Sequence, residues 1–202
     1  MKKTIINVGR QFGSGGKRVA ASLSEKLGIP VYDSELLVKA AQKSGIHEEF
    51  FRGNDESRNI FSLGMFSTNR FGNFSSNGIN NSNLFKIQSD AIRDIASNGS
   101  AIFVGRASDY ILRDMECLDV FITAPLQVRA KNVSEREGIS EEEAARMIVK
   151  KDKARKEYYD FFTFGDNWGQ ASNYDLCIDS SILGIEKTAD FIIEFGRSMG
   201  LI

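Results

Sequence analysis

A short β-forming run, Thr4 to Val8 (TIINV), leads straight into Gly9, Gly13, Gly15 and Gly16, with Lys17 and Arg18 immediately behind. Val19, Leu23 and Leu27 then recur at helical spacing until Gly28-Ile29-Pro30 stops the helix. Strand, glycine loop and helix in this order aim several backbone N–H groups and a positive helix end at one point, an arrangement that binds phosphate. This feature constrains the chain more than any other, because ligands of parallel α/β sheets gather at the carboxyl ends of strands. The spelling departs from G-x-x-x-x-G-K-[ST]. In the ungapped register Gly13-Ser14-Gly15 forms the loop and Gly16 takes the lysine position, leaving Lys17 one place late. Setting Lys17 as the lysine instead puts Gln11 where the first glycine belongs. Two readings stand at this point: an altered phosphate loop, and a glycine-rich turn without a ligand.

The rest of the chain keeps alternating. Val31-Tyr32-Asp33 is a short strand, and Glu35 to Lys43 a helix, so a right-handed βαβ unit on a parallel sheet is expected. Residues 53 to 83 are dense in Gly, Ser and Asn with isolated Phe and Met, which disfavours regular structure. A mobile excursion or small lid-like subdomain and an insert without a role are both open there. Leu84 to Ala96 is helical by its Leu84, Ile87, Ala91 and Ile95 spacing. Ala101 to Val104 is a third strand, followed by Gly105-Arg106 and a helix bearing Tyr110 and Leu112. Leu118 to Ile122 is a fourth strand, and Ser140 with Glu143 is a capping box opening a charged helix, Glu141 to Tyr159. Asp175 to Asp179 is a fifth strand and Ile185 to Met199 a final amphipathic helix. Strands alternating with helices predict one α/β domain with a doubly wound parallel sheet.

Composition narrows the partners. Twenty-six Lys plus Arg against 27 Asp plus Glu leave a formal charge of −1, so no global basic field exists to hold a nucleic-acid polymer, and anion binding has to be local. The apolar run in MKKTIINVGRQ is too short for a signal peptide, and no stretch of about 18 apolar residues exists to span a membrane. A cytoplasmic location is expected, with Cys117 and Cys177 as buried free thiols. One histidine, His47, makes a Ser–His–Asp hydrolase or a histidine metal site unpromising.

Four further stretches, VYDSELLVKA (31–40), FVGRASDYIL (103–112), RMIVKKDKARKEYY (146–159) and YDLCIDSSILGIEKTADFI (174–192), fall in the order and spacing of a nucleoside-monophosphate kinase. More narrowly, with GRQFGSGG and the ending YDLCIDSS…GIEKT, the chain resembles the cytidylate kinase-like family over nearly its whole length except residues 47 to 83. The resemblance implies a P-loop NTPase fold, three-layer α/β/α, with a five-stranded parallel sheet. It also implies a monophosphate-binding insertion at about 45–85 and a helical lid at about 129–165.

Its residues carry over one at a time. The glycine loop, Gly13 to Gly16, with Lys17 and Arg18 would hold the phosphates of ATP. Asp33 and Ser34 match the family's L-D-S-G-x-x-Y-R on the acceptor side, with Lys39 in place of its arginine; Asp33-Ser34 also reads simply as a helix cap. In Val104-Gly105-Arg106-Ala107 the arginine of the family's D-G-R-D is kept and the acidic residue after it is lost, with Asp109 two residues beyond as a substitute. Asp152 and Arg155 match the lid's D-x-x-R, with Lys151 before them and Arg129 at the position bordering the ATP base. A cation run on a helix is otherwise an ordinary solvated face. The roles implied are catalysis by Lys17, Arg106, Lys151 and Arg155, and acceptor binding by Asp33, Ser34, Lys39, Arg106, Asp109 and Asp152. Phosphoryl transfer suits such an inventory, since it needs cations and backbone donors more than a nucleophile or strong base. The expected function is Mg²⁺-dependent transfer from ATP to a small phosphorylated acceptor, CMP or dCMP first. Another small acceptor, or nucleotide binding without catalysis, are the alternatives, and the loop supplies no hydroxyl for Mg²⁺ in either register.

Overall fold

A computed structural model describes residues 3–43 and 81–202. The sheet contains β1 (Ile5–Arg10), β2 (Val31–Tyr32), β3 (Ala101–Val104), β4 (Leu118–Thr123) and β5 (Leu176–Asp179) in the order β2-β3-β1-β4-β5. Every pairing is parallel, with Val8 opposite both Val104 and Val120, so the central strand is β1. Its first four residues are buried, as a strand covered on both faces requires. One face packs Ile6, Val8, Val104 and Val120 against α1 (Gly16–Leu27) and α7 (Ser180–Ser198) through Val19, Leu23 and Ile192. The other packs Ile5 and Phe103 against α2 (Ser34–Lys43), α3 (Asn81–Asn98) and α4 (Ser108–Ile111) through Leu37, Ile92 and Ile111. This is the expected three-layer α/β/α architecture with five parallel strands.

Helix boundaries follow local chemistry. Gly28 ends α1 in the left-handed region at φ 66°, where glycine carries no Cβ penalty. The Ser140 and Glu143 capping box opens α6 (Glu141–Phe162), three residues longer than the spacing alone predicts. The final helix starts earlier than expected, at Ser180 under an Asp179 cap, with Gly184 non-helical inside it. One element escapes the periodicity entirely: α5 (Leu126–Glu137) has no side-chain cap and buries only Arg129, Ala130 and Val133. It forms because α6 lies against it, the pair sharing a small core of Ala130, Val133, Ala144 and Ile148 on which Phe12 of the glycine loop packs. The α5–α6 hairpin, residues 126–162, overlaps the segment at about 129–165 where a lid is expected. The insertion expected at 45–85 lies almost wholly outside the described residues, as does His47; residues 81–83 begin α3.

The expectation of two buried thiols needs correcting. Both cysteines are free, but Cys177 is exposed and Cys117 only partly covered. Cys177 sits on β5, the strand at the edge of the sheet.

Between β1 and β4 a polar pair interrupts the core: Asn7 Nδ2 donates to Asp119 Oδ1 at 2.7 Å. Burial pushes the Asp119 carboxyl up to about 6, against the Asn7 hydrogen bond and with help from Asp109 and Asp175. The folded state therefore holds this proton more tightly than the unfolded chain, whose value is 3.8. Its contribution favours folding at acid pH and is lost as pH rises from 3.8 through about 6, by up to about 3 kcal/mol. Asp119→Asn is expected to flatten that part of the stability profile, measured as chemical unfolding between about pH 4 and about pH 7. An unchanged slope would show that Asp119 titrates normally.

Candidate active site

The chain leaves β1 at Arg10 and turns through Gln11-Phe12-Gly13-Ser14-Gly15 into α1. Gly13 and Gly15 stand at φ 81° and 79°, conformations that side chains rarely adopt, so the loop curls back on itself before the helix begins. At the mouth of α1 the first amides have no intrahelical acceptor, which makes the loop a concave anion receptor. Ser14 is buried, its Oγ donating to the Gln11 carbonyl at 2.9 Å. Its own carbonyl accepts from Ser180 Oγ, which ties the loop to the start of α7.

The loop is braced from the α5–α6 hairpin. Arg129 on α5 is only 8% exposed; its Nε donates to the Ala124 carbonyl at 2.8 Å and its Nη1 to the Phe12 carbonyl at 3.2 Å. The same Nη1 meets Asp152 Oδ2 at 2.6 Å, and Asp152 Oδ1 accepts the Phe12 amide at 2.7 Å. Asp152, expected on the acceptor side, thus joins Arg129 in clamping the loop residue Phe12. Lys151 is buried with its Nζ 5.8 Å from the Phe12 ring centre, and burial, reinforced by Arg155, brings its pKa down to about 8. Arg155 also lies over that ring, at 5.3 Å, and donates from Nη1 to the Arg10 carbonyl at 3.0 Å.

A cleft opens beside the loop at the carboxyl ends of β1 and β3. Arg10, Arg106 and Arg155 line its cationic side, and Tyr158, Trp168 and Tyr174 its aromatic side. Gly105, Arg106 and Ala107 are three consecutive residues at positive φ, 72°, 64° and 53°. For Arg106 and Ala107 that is strained backbone, of the kind that concentrates at functional sites. It turns β3 abruptly into α4 and brings the Arg106 guanidinium 5.2 Å from the Tyr158 ring centre. Burial, with the charges of Arg155 and Arg106, lowers the Arg10 pKa well below its ordinary value. Burial likewise brings Arg155 down to about 10, with Arg106, Arg129 and Arg136 adding to the fall and Asp152 opposing it. Guanidinium groups stay charged at neutral pH. The shifts therefore express burial first and repulsion among crowded cations second, and a bound anion would relieve both.

The remaining predicted residues are scattered around this cleft. Ser34 lines it, and Lys39 is exposed on α2. Asp33 Oδ1 accepts the amides of Glu35 and Leu36 while its Oδ2 meets Lys17 Nζ at 2.8 Å. Burial pushes the Asp33 carboxyl up, but the Lys17 hydrogen bond and the Leu36 and Glu35 amides outweigh it and leave its pKa below the usual range. Lys17 itself is 76% exposed, and Arg18 points to solvent. Asp109 lines the cleft but accepts the Tyr159 hydroxyl at 2.6 Å, and burial raises its pKa despite that bond. Sequence reasoning missed Arg10, although it sits inside the glycine stretch; the vacant lysine position was the signal that another cation should be sought. It also missed Trp168 and Tyr174, which no spacing rule connects to the loop. Phe121 joins them, with ring centres at 5.4 Å and 5.0 Å.

For Mg²⁺ the donor set is thin. Lys17 and Arg18 stand where a loop hydroxyl belongs, and among the described residues no cluster of three or more His, Cys, Asp and Glu could hold a metal ion. The residues fit an ion that arrives on ATP, held by phosphate oxygens and water, with Asp33 the carboxylate beside the loop.

The family model of the cytidylate kinase-like family matches residues 5–182. The chain belongs to this family. Among curated members, it is 26% identical over 181 residues to the cytidylate kinase of Sulfolobus acidocaldarius, covering 90% of this chain and 87% of that one. With the cytidylate kinase of Methanopyrus kandleri it shares 27% identity over 196 residues, 91% of this chain and 88% of the other. Among solved structures, an uncharacterized protein from Eubacterium ventriosum superposes with a TM-score of 0.74 at 30% identity, over 97% of this chain and 99% of that one. Shikimate kinase from Bacteroides thetaiotaomicron matches at a TM-score of 0.55 and 12% identity over 98% of both chains, a likeness of fold alone. Family and fold together support a kinase. Among the described residues no helix is long and apolar enough to cross a membrane.

Proposed function

We propose that this cytidylate kinase-like protein transfers the γ-phosphate of MgATP to a nucleoside monophosphate, CMP or dCMP first. The observation that carries the reading is the convergence of Arg10, Arg106 and Arg155 on one cleft beside the loop amides. Three crowded cations at the carboxyl ends of β1 and β3 match a polyphosphate donor and a monophosphate acceptor meeting end to end. The loop amides and the start of α1 bind the donor's β-phosphate, and Arg106 and Arg155 bridge donor and acceptor. Ser34 and Lys39 face the acceptor side, and the rings of Trp168 and Tyr174 give its base a flat wall.

A phosphate oxygen of the acceptor attacks the γ-phosphorus. The bond from that phosphorus to the β–γ bridging oxygen breaks, and ADP leaves with the electron pair. The acceptor phosphate is already an anion, so no general base is needed. The cations neutralise the charge spread over the transferred group, a task that Mg²⁺ carried in with ATP would share. Lys151, held against Phe12, keeps a further positive charge behind the loop. Arg129 and Asp152 keep the loop in shape.

The acceptor is the more open half of this reading, because Asp109, the carboxylate nearest Arg106 in sequence, is engaged by Tyr159. A panel of nucleoside monophosphates and small alcohols, each with MgATP and followed by ADP release, tests it. Turnover confined to CMP and dCMP is expected. Turnover of another acceptor with none of these two would reassign the substrate, and no turnover of any acceptor would contradict the kinase reading.

A further inference from the structure

The phosphate loop of this chain lacks a lysine where the register calls for one, since Gly16 stands there. The structure shows what fills the space. A Cβ placed on Gly16 would lie 2.6 Å from Arg10 Cβ and 3.0 Å from Arg10 Cγ. A Cβ on Gly105 would lie 1.7 Å from Arg10 Nη1 and 3.0 Å from its Cζ. One arginine therefore threads the side-chain space of two glycines. Its stem runs where the side chain of residue 16 would start, and its guanidinium lies across the end of β3 beside the cleft. The two glycines are needed together: Gly16 gives way to the stem, and Gly105, at φ 72°, to the head.

Lys17, the cation next to that position, is placed differently. Its side chain is 76% exposed, and its Nζ is paired at 2.8 Å with Asp33, whose other oxygen caps α2. From there it would have to leave a carboxylate before it could meet a phosphate. The guanidinium of Arg10 lines the cleft with Arg106 and Arg155, its stem held by the loop itself.

We infer that Arg10, entering from β1 rather than from the first turn of α1, takes over the phosphate-loop lysine's work of binding and neutralising the donor's β- and γ-phosphates, and that Lys17 does not. The inference rests on the kinase reading and deepens it. A planar fork fixed by two glycines reaches two phosphate oxygens at once, where a lysine acts as a point charge. The loop thus dispenses with its lysine because the position is covered from the neighbouring strand.

Four proteins test this: the wild type, Arg10→Ala, Arg10→Lys and Lys17→Ala. Each is titrated calorimetrically with inorganic tripolyphosphate and with MgATP, and assayed for turnover of the best acceptor, with a thermal melt to verify folding. Arg10→Ala is expected to lose about 10²–10³-fold in kcat and at least about tenfold in tripolyphosphate affinity, by analogy with removal of a transition-state donor. Arg10→Lys keeps the charge but loses the fork, and should fall between the wild type and Arg10→Ala; it also serves if the alanine variant does not fold. Lys17→Ala is expected to lose less than about fivefold in either quantity, since an exposed ion pair contributes little. If Lys17→Ala suffers the large loss, or if Arg10→Lys and Arg10→Ala bind tripolyphosphate as the wild type does, the inference is overturned while the kinase reading stands. A wild type that binds neither tripolyphosphate nor MgATP overturns both. A wild type that binds them but phosphorylates no acceptor overturns the kinase reading alone, and the affinities of the variants then decide the role of Arg10.

Discussion

Arg106→Asn is expected to lower kcat by about 10²–10³-fold while leaving the folded protein as stable as before. The choice of asparagine isolates the charge. Arg106 stands at φ 64°, a left-handed conformation that asparagine adopts more readily than most residues, so the substitution relieves backbone strain. The cation–π contact with Tyr158, at 5.2 Å, and the side-chain hydrogen bond between the two are lost, at a cost of about 1–2 kcal/mol that the relieved strain offsets. What remains is the removal of one of three guanidinia that face the cleft. Steady-state kinetics should show the fall mainly in kcat, because charge develops on the transferred group in the transition state. A loss of less than about tenfold, with unchanged stability, would remove Arg106 from the chemistry.

Arg129→Ala should destabilise the protein by about 3 kcal/mol, the lower end of what breaking a buried ion pair costs. Arg129 is almost wholly buried and joins three parts of the molecule: the Ala124 carbonyl after β4, the Phe12 carbonyl of the loop, and Asp152 of α6. Its removal leaves the Asp152 carboxylate in place with the Phe12 amide as its remaining neutral donor, which is why the cost stays at the lower end. In thermal unfolding this corresponds to a fall of roughly 6–12 °C in Tm for a chain of this size. MgATP affinity should fall as well, because Phe12 is held from both sides by this pair and the loop geometry depends on it. A Tm within about 2 °C of the wild type would show that the clamp contributes little to folding.

The fold was largely legible because its signals are local. Each strand is a short apolar run bounded by turn residues, and α1 and α6 carry their own stops and caps in Gly28, Ser140 and Glu143. The helix α5 was not, since its apolar positions are few and its burial is supplied by α6. The exposure of Cys177 was equally hidden: its strand has the apolar composition of a central one, and only the sheet order places it at the edge.

The site divides in the same way. Lys151 and Arg155 could be placed together from their spacing on one helix. Where each head goes was not readable, because Phe12, which both cover, is contributed by a loop about 140 residues earlier in the chain. Arg10 was overlooked for a related reason. A loop motif is read along the chain, whereas the arginine answers a vacancy across it, between β1, α1 and β3.

The most direct measurement is a crystal structure of the protein with MgADP and CMP. The account predicts the β-phosphate on the amides of residues 13 to 17 with the Arg10 guanidinium on its oxygens, Mg²⁺ held by ADP oxygens and water, and the CMP phosphate against Arg106 and Arg155. A nucleotide bound elsewhere, with the glycine loop free of phosphate, would contradict it.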